Sequence, residues 1–224
     1  MGILIKASIF GEIKGKVGRE VICGHRSQTV IKSAPGKRLK EKEKTKRVKD
    51  KALFKLVNVI VGKLTKLLPK GLIKKTYQLP ENAKYTARNA MTAQVWADAL
   101  TGKYPDHYID LSLVKFSNPL RSTEKARNAK LAIVDDELQV SWELNPLPEK
   151  TTRLDDVVYV ICFDTDKTVV GLLSYKTVHR SDLLCSEKLF FHTSGHQYCF
   201  WLFLLSADGK RVSATQSLGT VIIP

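Results

Sequence analysis

The sequence predicts an α+β protein: a C-terminal antiparallel β-sandwich preceded by an N-terminal β-hairpin and two helices. Three observations carry this expectation. Short β-branched runs broken by glycine fill residues 3–33, and helical periodicity marks 51–68 and 80–101. From residue 110 onward the texture is short apolar runs separated by turn signals. The expected regions are 1–36 (hairpin or strand), 37–105 (basic and helical) and 106–224 (sandwich). A chain of 224 residues is long enough to bury a core in this arrangement.

In the first region, "GEIKGKVGREVICG" (11–24) places glycines at 11, 15 and 18 around a Gly15-Lys16 pair. A phosphate-cradling loop needs G-x4-G-K followed by Ser or Thr, then a helix whose N-terminus faces the phosphates. Here the spacing is G-x3-G-K, the next residue is Val17, and a strand-like run follows. A glycine-punctuated hairpin is the better reading.

The second region opens on "KRLKEKEKTKRVKDK" (37–51), with nine basic and three acidic side chains. Glu43 and Arg47 stand four apart and can pair on a helix, but a surplus of six positive charges remains. Salt or a bound polyanion relieves their repulsion. In the run that follows, Leu53, Leu56, Val57, Ile60, Leu64, Leu67 and Leu68 recur at helical spacing. Thr45 is the expected cap, and Pro69-Lys70-Gly71 the stop. The stripe is expected to pack on its own domain or a sister subunit; a membrane surface and a partner's groove are the other uses of such a helix. A second helix is expected over 80–101, with Pro80 in its first turn, small Ala83, Ala87, Ala90 and Ala97 permitting close approach, and Gly102 with Pro105 at its exit. "GKYPDHYID" then reads as a linker.

The third region gives strand-like runs including "LSLVKF", "ELQVSWEL", "DVVYVICF" and "QYCFWLFLLS". Asp164-Thr165-Asp166-Lys167 and Asp208-Gly209 are its clearest turns. Alternation puts Tyr159, Ile161 and Phe163, with Tyr198, Phe200, Leu202 and Leu204, on one core face. The opposite face should then be polar. Instead it holds Val158, Val160 and Cys162 on one strand and Cys199, Trp201, Phe203 and Leu205 on the other. Both faces therefore need cover, from the N-terminal helices or another subunit, and Val158, Val160, Trp201, Phe203 and Leu205 are the expected interface.

Charge is distributed as unevenly as texture. Residues 1–75 carry 21 Lys/Arg against 5 Asp/Glu, a net of +16; residues 131–224 carry 8 against 12, a net of −4. A polyanionic partner for the N-terminal end follows from this asymmetry. The cysteines at 23, 162, 185 and 199 form no C-x-x-C pair or disulfide framework, so buried free thiols are expected, with Cys162 and Cys199 near each other. No secretory signal is recognised, since Lys6 interrupts the short apolar start, and no apolar run has the length of a membrane span. A cytoplasmic or virion-like location is the expectation.

Several stretches resemble known families. "LQVSW" with Trp142 resembles the second strand of a fibronectin type III-like domain, "VYVICF" the third, and "YCFWLFLLSADGKRVS" the sixth and seventh with their hairpin. Tyr198 stands where such domains carry a core tyrosine. The resemblance covers roughly 110–224 and implies a binding or spacer module of fibronectin III/Ig-like fold, without catalysis. The whole chain also resembles an uncharacterised domain-of-unknown-function family of Bacteroidetes-type bacteria. "GKVG", "KALFKLVNVIV" and "NAMTAQVWADALTGKYPDHYIDLSLVKFS" carry that likeness, which implies an architecture but no activity.

Chemistry-bearing constellations are sparse. Cys185, His192, His196 and Cys199 match no zinc template: the histidines flank a turn, and Cys199 falls within a strand. No G-x-S-x-G elbow is present, and Asp135-Asp136 and Asp155-Asp156 sit at strand boundaries suited to solvated turns. The expectation is a non-enzymatic structural or assembly protein with no catalytic residues, metal, cofactor or small-molecule substrate, self-associating as a homo-oligomer. Lys37, Arg38, Lys40, Lys42, Lys44, Lys46, Arg47, Lys49 and Lys51 are its expected contacts with a polyanion, nucleic acid first. A subunit of a virus-like particle or filament combines both properties. The alternatives are a peripheral membrane module using the helix at 51–68, and an oligomer whose charge balances an acidic neighbour.

Overall fold

The computed structural model describes residues 2–4, 15–17, 20–25, 28–33, 41–66, 68–69, 71–103, 105–135, 137–167, 169–174, 178–188 and 193–223; side chains are described from residue 48 onward, apart from 169–174. The chain divides into two compact units, Met1–Val48 and Lys49–Pro224.

In the first unit, β1 (Gly2–Leu4), β2 (Gly15–Val17), β3 (Glu20–His25) and β4 (Gln28–Ser33) form an antiparallel sheet in the order β1-β4-β3-β2. Gly15 and Lys16 lie within β2, opposite Ile22 and Val21 of β3. The Gly-Lys pair thus belongs to a strand and does not precede a helix, which removes the geometry a phosphate loop requires.

The helix α1 (Glu41–Lys66) runs for 26 residues from the first unit into the second. The basic residues from Lys42 to Lys51 and the apolar stripe from Leu53 to Leu64 are therefore one helix, and Thr45 lies inside it instead of capping it. Lysine, glutamate and arginine are good helix formers, so nothing in 41–50 interrupts propagation. No helix among the described residues is long and apolar enough to cross a membrane. A one-turn helix, α2 (Leu72–Thr76), follows, which periodicity is too short to register.

The next helix, α3 (Ala87–Gln94), starts later than the sequence pattern implied. Thr86 is its cap, the hydroxyl accepting the Asn89 N–H at 3.2 Å, while residues 81–85 form turns. A π-helical turn, Val95–Ala99, extends it, after which β5 (Leu100–Thr101) and β6 (Tyr108–Ile109) make a short antiparallel ribbon. The expected strand at "LSLVKF" is a 3-10 turn instead, Leu111–Leu113, because the Asp110 carboxylate accepts the Ser112 N–H and curls the backbone.

The remaining strands are β7 (Arg127–Val134), β8 (Glu137–Glu143), β9 (Val157–Asp164), β10 (Val169–Ser174), β11 (Leu184–Lys188), β12 (Gln197–Leu205) and β13 (Gln216–Ile222). They form a three-stranded sheet, β11-β8-β7, and a four-stranded one, β10-β9-β12-β13, all antiparallel. Sequence alternation had paired the wrong faces across β9 and β12. Their register sets Cys162 opposite Phe200 and Ile161 opposite Trp201, so odd residues of one strand share a face with odd residues of the other.

The two faces of the four-stranded sheet have different covers. Val158, Val160, Leu202 and Leu204 pack with Val140, Trp142 and Cys185 of the three-stranded sheet. Cys162, Tyr198 and Phe200 continue that layer with Leu138 and Ile223. Tyr159, Ile161, Phe163, Cys199, Trp201, Phe203 and Leu205 instead meet Val57, Val61 and Leu64 of α1 and Ala87 and Met91 of α3, with Val95, Val114 and Phe116. One core runs through helices and sheet, so the expected boundary near 105 falls inside a single unit.

Candidate functional site

Of the nine basic residues expected to meet a polyanion, Lys37, Arg38 and Lys40 lie outside the described residues. Lys42, Lys44, Lys46 and Arg47 fall on the first turns of α1, with side chains outside the described set. Lys49 and Lys51 are exposed on the same helix. From Lys49 on, α1 belongs to the helix layer that packs on the four-stranded sheet. That layer is itself cationic: residues 49–103 contain 11 Lys/Arg and 3 Asp/Glu. One of those acids, Asp98, is committed to Lys115, whose ammonium lies 2.9 Å away and, with the Gln94 amide, holds the carboxyl below the ordinary aspartate range. The expected basic contacts at 37–51 do not include the lysines of this layer beyond Lys51. Counting charge over 49–103 exposes the signal, but only folding shows that the lysines sit outside the buried stripe.

The interface residues have a different fate. Val158, Val160, Trp201 and Phe203 are at most 1% exposed and Leu205 is 5% exposed, all within one chain. Val158 and Val160 face the three-stranded sheet, whereas Trp201, Phe203 and Leu205 face the helices. The Trp201 indole donates to the Leu111 carbonyl at 3.1 Å and its ring lies 5.1 Å from that of Phe116. A subunit interface built on these side chains is corrected: the cover they require is intramolecular, because α1, α3 and the second sheet already close over them.

The cysteines separate for the same reason. Cys162 points into the sandwich and Cys199 toward the helices, so they occupy opposite faces instead of neighbouring positions. Cys162, Cys185 and Cys199 are buried free thiols, and burial raises the Cys199 thiol. Cys185 and Cys199 sit in different clusters and do not converge on a metal, and His192 lies outside the described residues.

Sequence reasoning missed two polar clusters. Asp164, Asp166 and His196 bring ligand-type atoms within 4.8 Å of one another. Their hydrogen bonds already have other partners. Asp164 Oδ1 accepts the N–H groups of Asp166 and Lys167, both at 2.9 Å, and His196 Nδ1 lies 2.9 Å from Oδ2. Asp166 Oδ2 accepts the Gln197 N–H at 2.9 Å. Burial pushes the Asp164 carboxyl up, but the Lys167 amide, His196, the Tyr198 hydroxyl and the Asp166 amide outweigh it and hold it low. This cluster clasps the β9–β10 turn to the start of β12.

The second cluster joins Asp156 to Arg180, both buried. Arg180 Nη2 lies 3.0 Å from Asp156 Oδ2, which also accepts the Thr123 hydroxyl at 2.9 Å. The same guanidinium donates to the Glu124 carbonyl, while the Trp142 indole donates to the Arg180 carbonyl at 2.9 Å. Asp156 is therefore structural and Asp155 is exposed. Asp135 sits in the turn after β7 at φ 49°, as its strand-boundary position implied. The pairing through Asp156 Oδ2 ties the segment at Thr123–Glu124 to the loop before β11, while the buried Asp156 Oδ1 has no hydrogen-bond partner among the described residues.

A comparison with curated proteins finds no match. Among solved structures, the chain is similar over 46% of its length to the twitchin kinase region from C. elegans (Fn31-NL-kin-CRD-Ig26), at 14% sequence identity and a TM-score of 0.35. That match spans 17% of the twitchin chain. A model of the family of unknown function DUF6266 matches residues 12–219, and the chain belongs to that family.

Proposed function

We propose that the protein is a non-enzymatic structural or assembly protein whose basic segment contacts a polyanion, nucleic acid first. Charge segregation carries the reading: a net of +16 over residues 1–75 stands against −4 over 131–224. Lys37, Arg38, Lys40, Lys42, Lys44, Lys46, Arg47, Lys49 and Lys51 make the contacts through counterion release, with no base readout. The β module behind them supplies shape. Its reading as fibronectin type III-like is supported by the partition of its strands: first, second and fifth in one sheet; third, fourth, sixth and seventh in the other. Homo-oligomerisation into a virus-like particle or filament, in a Bacteroidetes-type bacterial setting, belongs to the same reading.

The lipid alternative is weakened by packing. A membrane-surface helix needs its apolar face for the acyl boundary, but Val57, Val61 and Leu64 are fully buried against the protein's own sheet. The test is fluorescence anisotropy of a labelled oligonucleotide with the full chain at about 50 and 200 mM salt. The expected result is binding that weakens steeply with salt. Absent or salt-independent binding ends the nucleic-acid reading.

A further inference from the structure

The helix layer carries a second feature that counterion release does not use. On the flank of α1 that faces α3, Phe54 is 58% exposed although it is large and aromatic. Its ring lies 6.5 Å from that of half-buried Trp96, the planes inclined by 52°. At the other end of the same seam, a Cβ on Gly62 would meet the Arg88 guanidinium at 3.1 Å. The helices thus run side by side from the aromatic pair to the Gly62–Arg88 contact. That seam is about 12 Å long at the helical rise.

Its composition is specific. Lys51 and Lys55 bracket Phe54 on α1, at i−3 and i+1, and are exposed. Arg88, Thr92 and Trp96 follow at four-residue spacing along α3 and its π-helical extension, with Arg88 exposed. The half-buried Asn58 lies one turn beyond Phe54. Aromatic faces set among cations, with polar residues between, suit unpaired bases: every base has a π-face to stack, while the phosphates track the positive charge. Duplex bases are stacked internally and cannot reach such a platform. A lipid surface asks for a continuous apolar stripe, and this seam alternates aromatic with charged and polar side chains.

We propose that the Phe54–Trp96 pair, flanked by Lys51, Lys55 and Arg88, is a stacking platform that makes single-stranded nucleic acid the preferred polyanion. The inference rests on the polyanion reading above and adds a site and a strandedness to it.

Intrinsic fluorescence offers a direct readout. Of the three tryptophans, Trp142 is 4% exposed and Trp201 is fully buried, so quenching by a stacked base reports on Trp96. Titrating the full-length protein with a short oligothymidylate should quench emission, and Trp96→Leu should abolish the quench. Phe54→Ala, at an exposed site, should weaken oligothymidylate binding about fivefold or more and leave affinity for a duplex of equal length unchanged. If duplex and single strand bind alike, with no quench and no effect of Phe54→Ala, the platform is refuted and the arm reading stands. If neither polymer binds at low salt, both fall together. Emission that shifts with phosphatidylserine vesicles but not with oligothymidylate overturns the platform in favour of a lipid surface.

Discussion

Arg180 and Asp156 form an ion pair inside the protein, 3.0 Å apart with side chains 4% and 0% exposed. Taking two charges out of water is costly, and here part of the cost is offset by the Thr123 hydroxyl, which donates to Asp156 Oδ2, and the Glu124 carbonyl, which accepts from Arg180. Removing one partner leaves the other charge buried without compensation. Arg180→Ala should therefore destabilise by about 3–5 kcal/mol, read as a lower urea midpoint. The double variant Asp156→Asn/Arg180→Met should lose less than the sum of its singles, because no uncompensated charge remains. Additive losses would show that the pair is not coupled.

Trp201 distinguishes core from interface. Fully buried against Phe116 and the helices, it should cost about 3–5 kcal/mol when changed to alanine. The oligomeric state of the folded fraction should not change, since no exposed surface is altered. Light scattering after size exclusion checks this: a shift in assembly without a loss of stability would return Trp201 to an interface.

Asp164 ties stability to acid. Its carboxyl is held below the ordinary aspartate value of 3.8 in the fold, burial being outweighed by the Lys167 amide, His196, the Tyr198 hydroxyl and the Asp166 amide. A group whose folded pKa is depressed contributes stability fully present above its unfolded pKa and lost as pH falls through the folded one. The melting temperature should thus drop as pH is lowered from about 5 through the aspartate range. Asp164→Asn should melt lower at neutral pH and show a flatter acid limb. An equally steep acid limb in the variant would assign the loss to other carboxylates.

Much of the secondary structure was legible because its signals are local. Val158 through Phe163 read as a strand with two apolar faces, and both are indeed covered. The Asp164–Lys167 turn and the sandwich's later strands lie where turn residues and β-branched runs put them. Misread elements had competing local chemistry: the Thr86 cap starts α3 at Ala87 and not at Pro80, and Asp110 curls a run that looked like a strand. Of the candidate site, the lysines were visible as composition. The Phe54–Trp96 pair was not, because its members are 42 positions apart and meet only when two helices pack on one sheet.

By itself, then, the chain determined its strand and helix texture, its charge gradient and the need to cover both sides of β9 and β12. Those follow from residue type and from periods of two or 3.6, which need no distant partner. Tertiary structure alone decided the register that sets Phe200 against Cys162, the choice of α1 and α3 as the cover over Trp201, and the burial of Arg180 beside Asp156. Register and cover are settled by packing between segments far apart in sequence, and a one-residue slip of a strand would exchange its faces without altering any local preference.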